Sequence, residues 1–466
     1  MLSGRAVSFL KPMSSRTLQF GCINDNVIYN VNVFINVEAR VATLFPRSIR
    51  EVPLPLGLYF RPGLNDHWEL LKLLAENHRD FSGLVFDATL DSRQDELRKQ
   101  TLRRGLDTIL DTRAMELATP SGFTGARTGL AWAGQRQHRP ADLIAQSGKD
   151  MIAQIVDHSQ RRAYTAVLAP SHYLTSPNDP WLPIDRDLML ELRRGLPDSG
   201  PGRVALYYPL AIPGKVLRDV EQRGALKHFL QSLPIDALWL RISGFGSECR
   251  SVALAGYIEA CRDLHMLGLP MVAEKSGTVG LALLAFGAVG GIESGVTIGE
   301  TCDISHWLRE PTGGSGFAPG PRVYIAELQM LLKREEAREI LESRTARSLA
   351  CRDVTCCRHG QADMIGSPRR HYLMTRMSEV ARLGQVAPEA RPNVYLDDLL
   401  RPATDRMMRI LRHQLSEGTH RRLERKYDTL ESWRQTLGRL SRSASPQSLA
   451  RSSHRHIDVA ARHSQP

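Results

Sequence analysis

No run of about 18 apolar residues occurs in the 466-residue chain, so no membrane-spanning helix and no membrane partner are expected. The most apolar stretch, Leu269 to Val296, is interrupted by Glu274, Lys275 and several glycines. Cysteine is sparse. Seven in a chain this long do not make a disulfide framework. The first 20 residues hold no Asp or Glu, yet they lack a clean apolar core, which excludes a secretory signal and predicts a disordered start. A cytoplasmic protein is expected. No G-x-G-x-x-G turn follows the first strand-like run, which argues against a dinucleotide-binding sheet.

What is present is ordinary in bulk: 42% hydrophobic and 24% charged residues, enough for an ample core. The formal charge of +11 is unevenly placed. From Arg401 onward there are 14 Lys and Arg against 6 Asp and Glu, so +8 of the excess lies in the last 66 residues. Basic character belongs to an appendage, and nucleic acid or another phosphate-bearing anion is the partner it predicts.

From Leu56 a rhythm begins. Apolar runs of strand length alternate with helix-compatible stretches: Leu58–Phe60, Leu84–Phe86, Thr108–Leu110, Ala166–Leu168, Val204–Tyr207, Ala237–Leu240, Met271–Ala273 and Val289–Ile292. Continuous apolar strands separated by helices imply a parallel sheet covered on both faces. Eight units over roughly 240 residues predict an α/β fold, a (β/α)8 TIM-type barrel. The expected organisation is an N-terminal extension with a β-hairpin (1–50), the barrel (51–310), a helical Cys/His subdomain (311–400), and a basic helix with a disordered tail (401–466). A charged helix is expected over Glu327–Ser348, and a second near Arg369–Leu383. The long connection from Arg113 to about Tyr164 reads as either a lid or a plain insertion.

A barrel of this kind carries its active site at the C-terminal strand ends. The polar residues ending each run are Arg61, Asp87, Asp111 with Arg113, His172, Tyr208, Arg241 with Ser243, Glu274 with Lys275, and Glu293 with Ser294. Asp87, Asp111, Glu274, Lys275 and Glu293 are the candidate catalytic groups. Carboxylates crowded together shift one another's pKa values, as acid–base chemistry requires. A desolvated Lys275 would form a Schiff base. Arg61, Arg113, His172, Tyr208, Arg241, Ser243 and Ser294 are the candidate substrate contacts, the guanidiniums suiting oxyanions. Each residue alone is as readily a rim salt bridge or helix cap.

Cys351, Cys356, Cys357 and His371 form a candidate structural Zn2+ site, with His359 the competing histidine. Four ligands would leave no open position.

A barrel followed by this Cys-rich segment and a helix containing Arg369-x-His371-Tyr372-Leu373 resembles the tRNA-guanine transglycosylase superfamily. The resemblance implies zinc held by Cys-x-Cys-x2-Cys and a later histidine. Cys351 and Cys356 match the first and third positions, Asp353 stands at the middle one, and Cys357 is the substitute. It also implies two catalytic aspartates. Asp87, in Phe86-Asp87-Ala88-Thr89, matches the acid/base segment. Gly291-Ile292-Glu293-Ser294 matches the nucleophile segment, with Glu in place of Asp. The function expected is glycosyl transfer on a nucleoside or nucleic-acid substrate. The alternatives are a small-molecule lyase or aldolase using Lys275, and a non-catalytic nucleic-acid-binding protein.

Overall fold

The computed structural model describes residues 55–200, 202–298, 300–310, 320–343, 346–443, 451 and 453. The expected N-terminal extension and hairpin lie outside these. Leu54–Pro466 forms one compact unit.

Eight parallel strands close a barrel in the order of the chain: β1 (Gly57–Arg61), β2 (Gly83–Asp87), β3 (Asp107–Asp111), β4 (Ala166–Leu168), β5 (Ala205–Pro213), β6 (Ala237–Ser243), β7 (Met271–Ala273) and β8 (Gly291–Gly295). β8 closes on β1 in parallel register, Gly57 opposite Gly291 and Arg61 opposite Gly295. The fold is the (β/α)8 barrel that the strand rhythm predicts. All eight apolar runs became barrel strands.

Each crossover carries a helix: α1 (His67–Ala75), α2 (Asp95–Arg103), α3 (Gln146–Arg161), α4 (Trp181–Gly195), α5 (Val220–Gln231), α6 (Ser251–Leu264) and α7 (Val279–Ala285). α7 buries every one of its residues. A helix apolar all round must be covered on all sides, and the C-terminal helices cover it.

Strand side chains alternate between two cores. Tyr59, Val85, Ile109, Leu168, Tyr207, Trp239 and Val272 fill the barrel interior. Their sequence neighbours, including Phe60, Phe86, Leu110, Tyr208 and Leu240, pack under the helices. This parity decides which strand-end residues reach the mouth.

Beyond the barrel, an antiparallel hairpin (Val323–Ile325 with Met330–Leu332) leads to α8 (Arg334–Glu342) and α9 (Pro368–Gly384). The expected helix over Glu327–Ser348 is thus corrected. Its first third is hairpin, because Met330, Leu331 and Leu332 are buried as strand. A π-helical turn, Tyr395–Leu400, runs into α10 (Arg401–Ile410), and α11 spans Glu417–Ser443. Leu423, Leu430 and Leu437 of α11 are buried, and α11 packs on α6 and α10. Of the tail expected to be disordered, Arg451 and Ser453 are among the described residues. Ser453 is buried beneath the barrel, accepting a 2.8 Å hydrogen bond from Tyr59 Oη at its carbonyl and donating from Oγ to Gly290 O at 3.0 Å. No helix among the described residues is long and apolar enough to cross a membrane.

Candidate active site and metal centre

Arg61, Asp87, Asp111, Arg241, Glu274 and Glu293 sit two residues beyond interior positions Tyr59, Val85, Ile109, Trp239, Val272 and Gly291. They therefore point into the C-terminal mouth of the barrel. There they form one ion-pair network. Arg61 donates Nε to Glu293 Oε1 (2.7 Å) and Nη2 to Glu293 Oε2 (2.9 Å), and Nη1 binds Asp111. Arg241 donates Nη2 to Asp111 Oδ2 at 2.7 Å and Nε to Glu274 Oε2 at 2.5 Å. Trp239 Nε1 gives Glu293 a third donor at 3.0 Å.

The two strand-end aspartates are built alike. Asp111 Oδ1 accepts the backbone N–H of Arg113 (3.0 Å), and Asp87 Oδ1 accepts that of Thr89 (2.9 Å). Each side chain thus makes its own turn, as aspartate does two residues back from an N–H, and leaves Oδ2 for the mouth. The turn puts Arg113 at φ 59. Trp132 Nε1 donates to Thr112 O at 2.8 Å and fixes it. Arg113 then spans Asp87 (3.3 Å), Asp111 (3.6 Å) and Glu116 (3.0 Å). Of the mouth carboxylates, Asp87 is the partly exposed one. Asp111, Glu116, Glu274 and Glu293 are buried.

Burial alone would raise the carboxyl pKa of Asp111. Arg241, then Arg61 and Arg113, overcome it and hold Asp111 well below the usual range. Glu274 is lowered the same way, against its burial, by Arg241, Arg61 and Lys275. Five carboxyl groups face three guanidiniums, and Lys275 beside Glu274 and Arg127 beside Asp87 and Glu116 bring the cations to five.

The other candidates fall elsewhere. Tyr208 has outward parity and donates to Asp185 at 2.9 Å. His172, fully buried and four residues past β4, stacks on Trp181 and pairs through Nδ1 with Asp185 at 2.6 Å. Both are placed in a cluster with α4 and away from the mouth. Ser294 likewise faces outward, its Oγ 2.5 Å from Tyr372 Oη. Ser243 Oγ accepts the N–H of Ile304 at 3.0 Å. Lys275, at φ 49, has no ion-pair partner among the described residues. Sequence reading missed Trp239 and Glu116. Trp239 was findable, being on the Arg241 face of β6; Glu116 lies in a loop helix and gave no signal.

Cys351, Cys356, Cys357 and His371 converge, their donor atoms all within 4.8 Å of one another. Cys356 Sγ lies 3.4 Å and Cys357 Sγ 3.5 Å from His371 Nδ1, and the two sulfurs are 3.6 Å apart. A tetrahedral ion with metal–sulfur bonds of about 2.3 Å needs edges of about 3.7 Å, so the donor set fits. His371 Nε2 is 2.9 Å from Tyr324 O, the outer hydrogen bond that turns Nδ1 toward a metal. Asp353 shapes the loop instead of ligating: its Oδ1 accepts from Thr355 N (2.8 Å) and Cys356 N (3.4 Å). His359 is exposed and pairs with Asp363 at 3.2 Å, outside the cluster.

No family model and no curated protein matches the chain. Solved structures do. The chain is similar to the xylanase 10B N-terminal modules of Clostridium thermocellum, crystallised with xylohexaose (11% identity, 52% of this chain and 60% of that one, TM-score 0.35). It is also similar to a mandelate racemase/muconate lactonizing family protein from Azoarcus (12%, 57% and 52%, TM-score 0.28). A third is the carboxyl transferase domain of Rhizobium etli pyruvate carboxylase (10%, 83% and 78%, TM-score 0.33). The chain spans 60% and 52% of the first two structures. At these scores the overlaps carry no argument about chemistry, and the barrel stands on its own strand order.

Proposed function

We propose that this chain is a metal-stabilised barrel enzyme of the transglycosylase type, acting on the glycosidic carbon of a nucleoside within a nucleic acid. The observation that carries the reading is the cluster of five carboxylates at the mouth, with Asp111 and Glu274 kept charged by arginines. Breaking a glycosidic bond develops positive charge on the sugar, and fixed anions in a water-poor cavity stabilise it.

In this reading Glu293, held by Arg61 and Trp239, faces the anomeric carbon. Its oxygen bonds to that carbon as the carbon–nitrogen bond breaks, and the electron pair leaves with the base. Asp87, the carboxyl group open to solvent, supplies the proton to the departing base and takes one from the incoming base. The metal has no step here. Zinc is the ion proposed, because three thiolates and one imidazole at tetrahedral spacing suit it. It would tie α9 to the Cys351–Cys357 loop.

The test is base exchange: radiolabelled guanine or a 7-deazaguanine offered with a transfer-RNA or DNA substrate. Incorporation that disappears in Asp87→Asn and Glu293→Gln supports the reading. Incorporation unchanged in both variants refutes it. A borohydride-trapped substrate adduct on Lys275 would instead establish lyase chemistry.

A further inference from the structure

We propose that the groove between α11 and the π-helical turn Tyr395–Leu400 binds the phosphodiester backbone of a nucleic acid. The proposal deepens the function above, since it assigns the polymer a place outside the barrel mouth.

The groove encloses about 660 Å³, and Arg401, Arg434, Arg439 and Arg442 line it with Asp397 as the one acid. Two of the four arginines are matched locally. Arg401 meets Asp397 at 2.9 Å, and Arg434 takes Glu431 in a bidentate pair at 2.7 and 2.9 Å. Arg439 reaches only Thr436, and neither it nor Arg442 has a carboxylate partner among the described residues. Surface ion pairs are worth little, so Arg401 and Arg434 can exchange a carboxylate for a phosphate at small cost. Guanidinium forks bind phosphate oxygens bidentately. The wall opposite α11 is a π-helical turn anchored by buried Tyr395 and Leu400, and such turns recur at functional sites.

Charge and shape favour nucleic acid over a membrane. The apolar stripe of α11 is buried, with Leu423, Leu430 and Leu437 turned inward. None of the exposed large apolar side chains among the described residues borders the groove. A surface helix bound to lipid needs such side chains free.

The experiment is fluorescence anisotropy of the full chain with 20-nucleotide single-stranded RNA and DNA, across a salt series from about 50 to 200 mM. The double variant Arg439→Glu/Arg442→Glu should weaken binding at least tenfold. It should also flatten the log–log salt slope by about 1.4, at ~0.7 for each phosphate that the variant no longer neutralises. Arg421→Glu, on the same helix outside the groove, is the charge control. An effect no larger than that control's overturns the proposal. So does equal binding of phosphatidylserine vesicles or a polyglutamate peptide, each abolished in the same double variant. Asp87→Asn should keep full binding, so failure of the mouth chemistry and failure of the groove are separate results.

Discussion

Tyr372 Oη lies 2.5 Å from Ser294 Oγ, and this contact joins α9 to β8. Tyr372 follows His371 of the Cys3His cluster on α9, and Ser294 follows Glu293 on β8. Tyr372 also donates to Glu300 at 3.2 Å in the segment after β8. Tyr372 therefore links the helix carrying the Cys3His cluster to the outer face of β8.

Metal content and fold stability should accordingly fall together. Elemental analysis of the purified chain should give one zinc per molecule, and His371→Ala should lose it. In small zinc domains such sites carry on the order of 10 kcal/mol of binding free energy. A marked drop in unfolding midpoint is therefore expected on chelation. Tyr372→Phe should keep the metal and remove only the hydrogen bonds to Ser294 and Glu300. A chelated protein with an unchanged melting curve would show that the cluster holds nothing.

Arg61 is the keystone of the mouth, touching Asp111, Glu274 and Glu293 at once. Arg61→Met should cost about 3–5 kcal/mol, because it leaves buried carboxylates unpaired. Adding Glu293→Gln should recover part of the loss, with a coupling of about 0.5–3 kcal/mol. Urea unfolding of the four proteins in the cycle measures it, and strict additivity would contradict the network.

The barrel and most of its charged mouth were legible in the chain because both rest on local period-two patterning. A parallel strand buried on both faces is a continuous apolar run, and the residue two beyond an interior position inherits its direction. Tyr59 predicts Arg61, and Trp239 predicts Arg241. The same rule excludes Tyr208 and Ser294, which simple proximity to a strand end had admitted. What was not legible depends on distant pairing. Asp185 claims both His172 and Tyr208 from another element, and Ser453 finds its place under β1 and β8 across the whole fold. The Cys3His cluster was readable because four donors of the right chemistry lie within 21 residues, Cys351 to His371.

Acid should undo the mouth in a defined direction. Asp111 and Glu274 are lowered in the folded state. The unfolded chain therefore binds protons more readily, and their stabilisation is fully present above the unfolded values of about 4. It is lost as pH falls through the folded values. Stability of the native chain should drop more steeply below about pH 4 than that of Asp111→Asn with Glu274→Gln. Parallel curves in chemical denaturation would remove these groups from the account.

Lys426 runs the other way. Burial pulls its pKa from 10.5 down to about 8, although Glu300 and Glu248 oppose the shift. Its ammonium donates to Ser247 O at 3.0 Å and lies over the Trp433 ring. Between pH 8 and 10.5 the unfolded chain keeps a proton that the folded one has lost. This group's contribution to stability therefore rises with pH, by up to ~3 kcal/mol. Lys426→Met should abolish that rise. Its persistence in the variant would assign it to another group.

A close approach in the barrel floor tests the tail. A Cβ on Gly290 would sit 2.0 Å from Arg451 O and 3.1 Å from Ser453 N, so its nearest obstacles all belong to the tail. Gly290→Ala must displace Arg451 and Ser453 or strain the chain entering β8, at a cost of about 1–3 kcal/mol typical of overpacking. In a chain ending at Ser443 the obstacle is gone, and the same substitution should be close to neutral. Full-length and shortened proteins, each with Gly or Ala at 290, separate the two explanations. If Ala costs the same in both, the glycine serves the strand. If the cost vanishes with the tail, the carboxy-terminal segment is part of the barrel's floor.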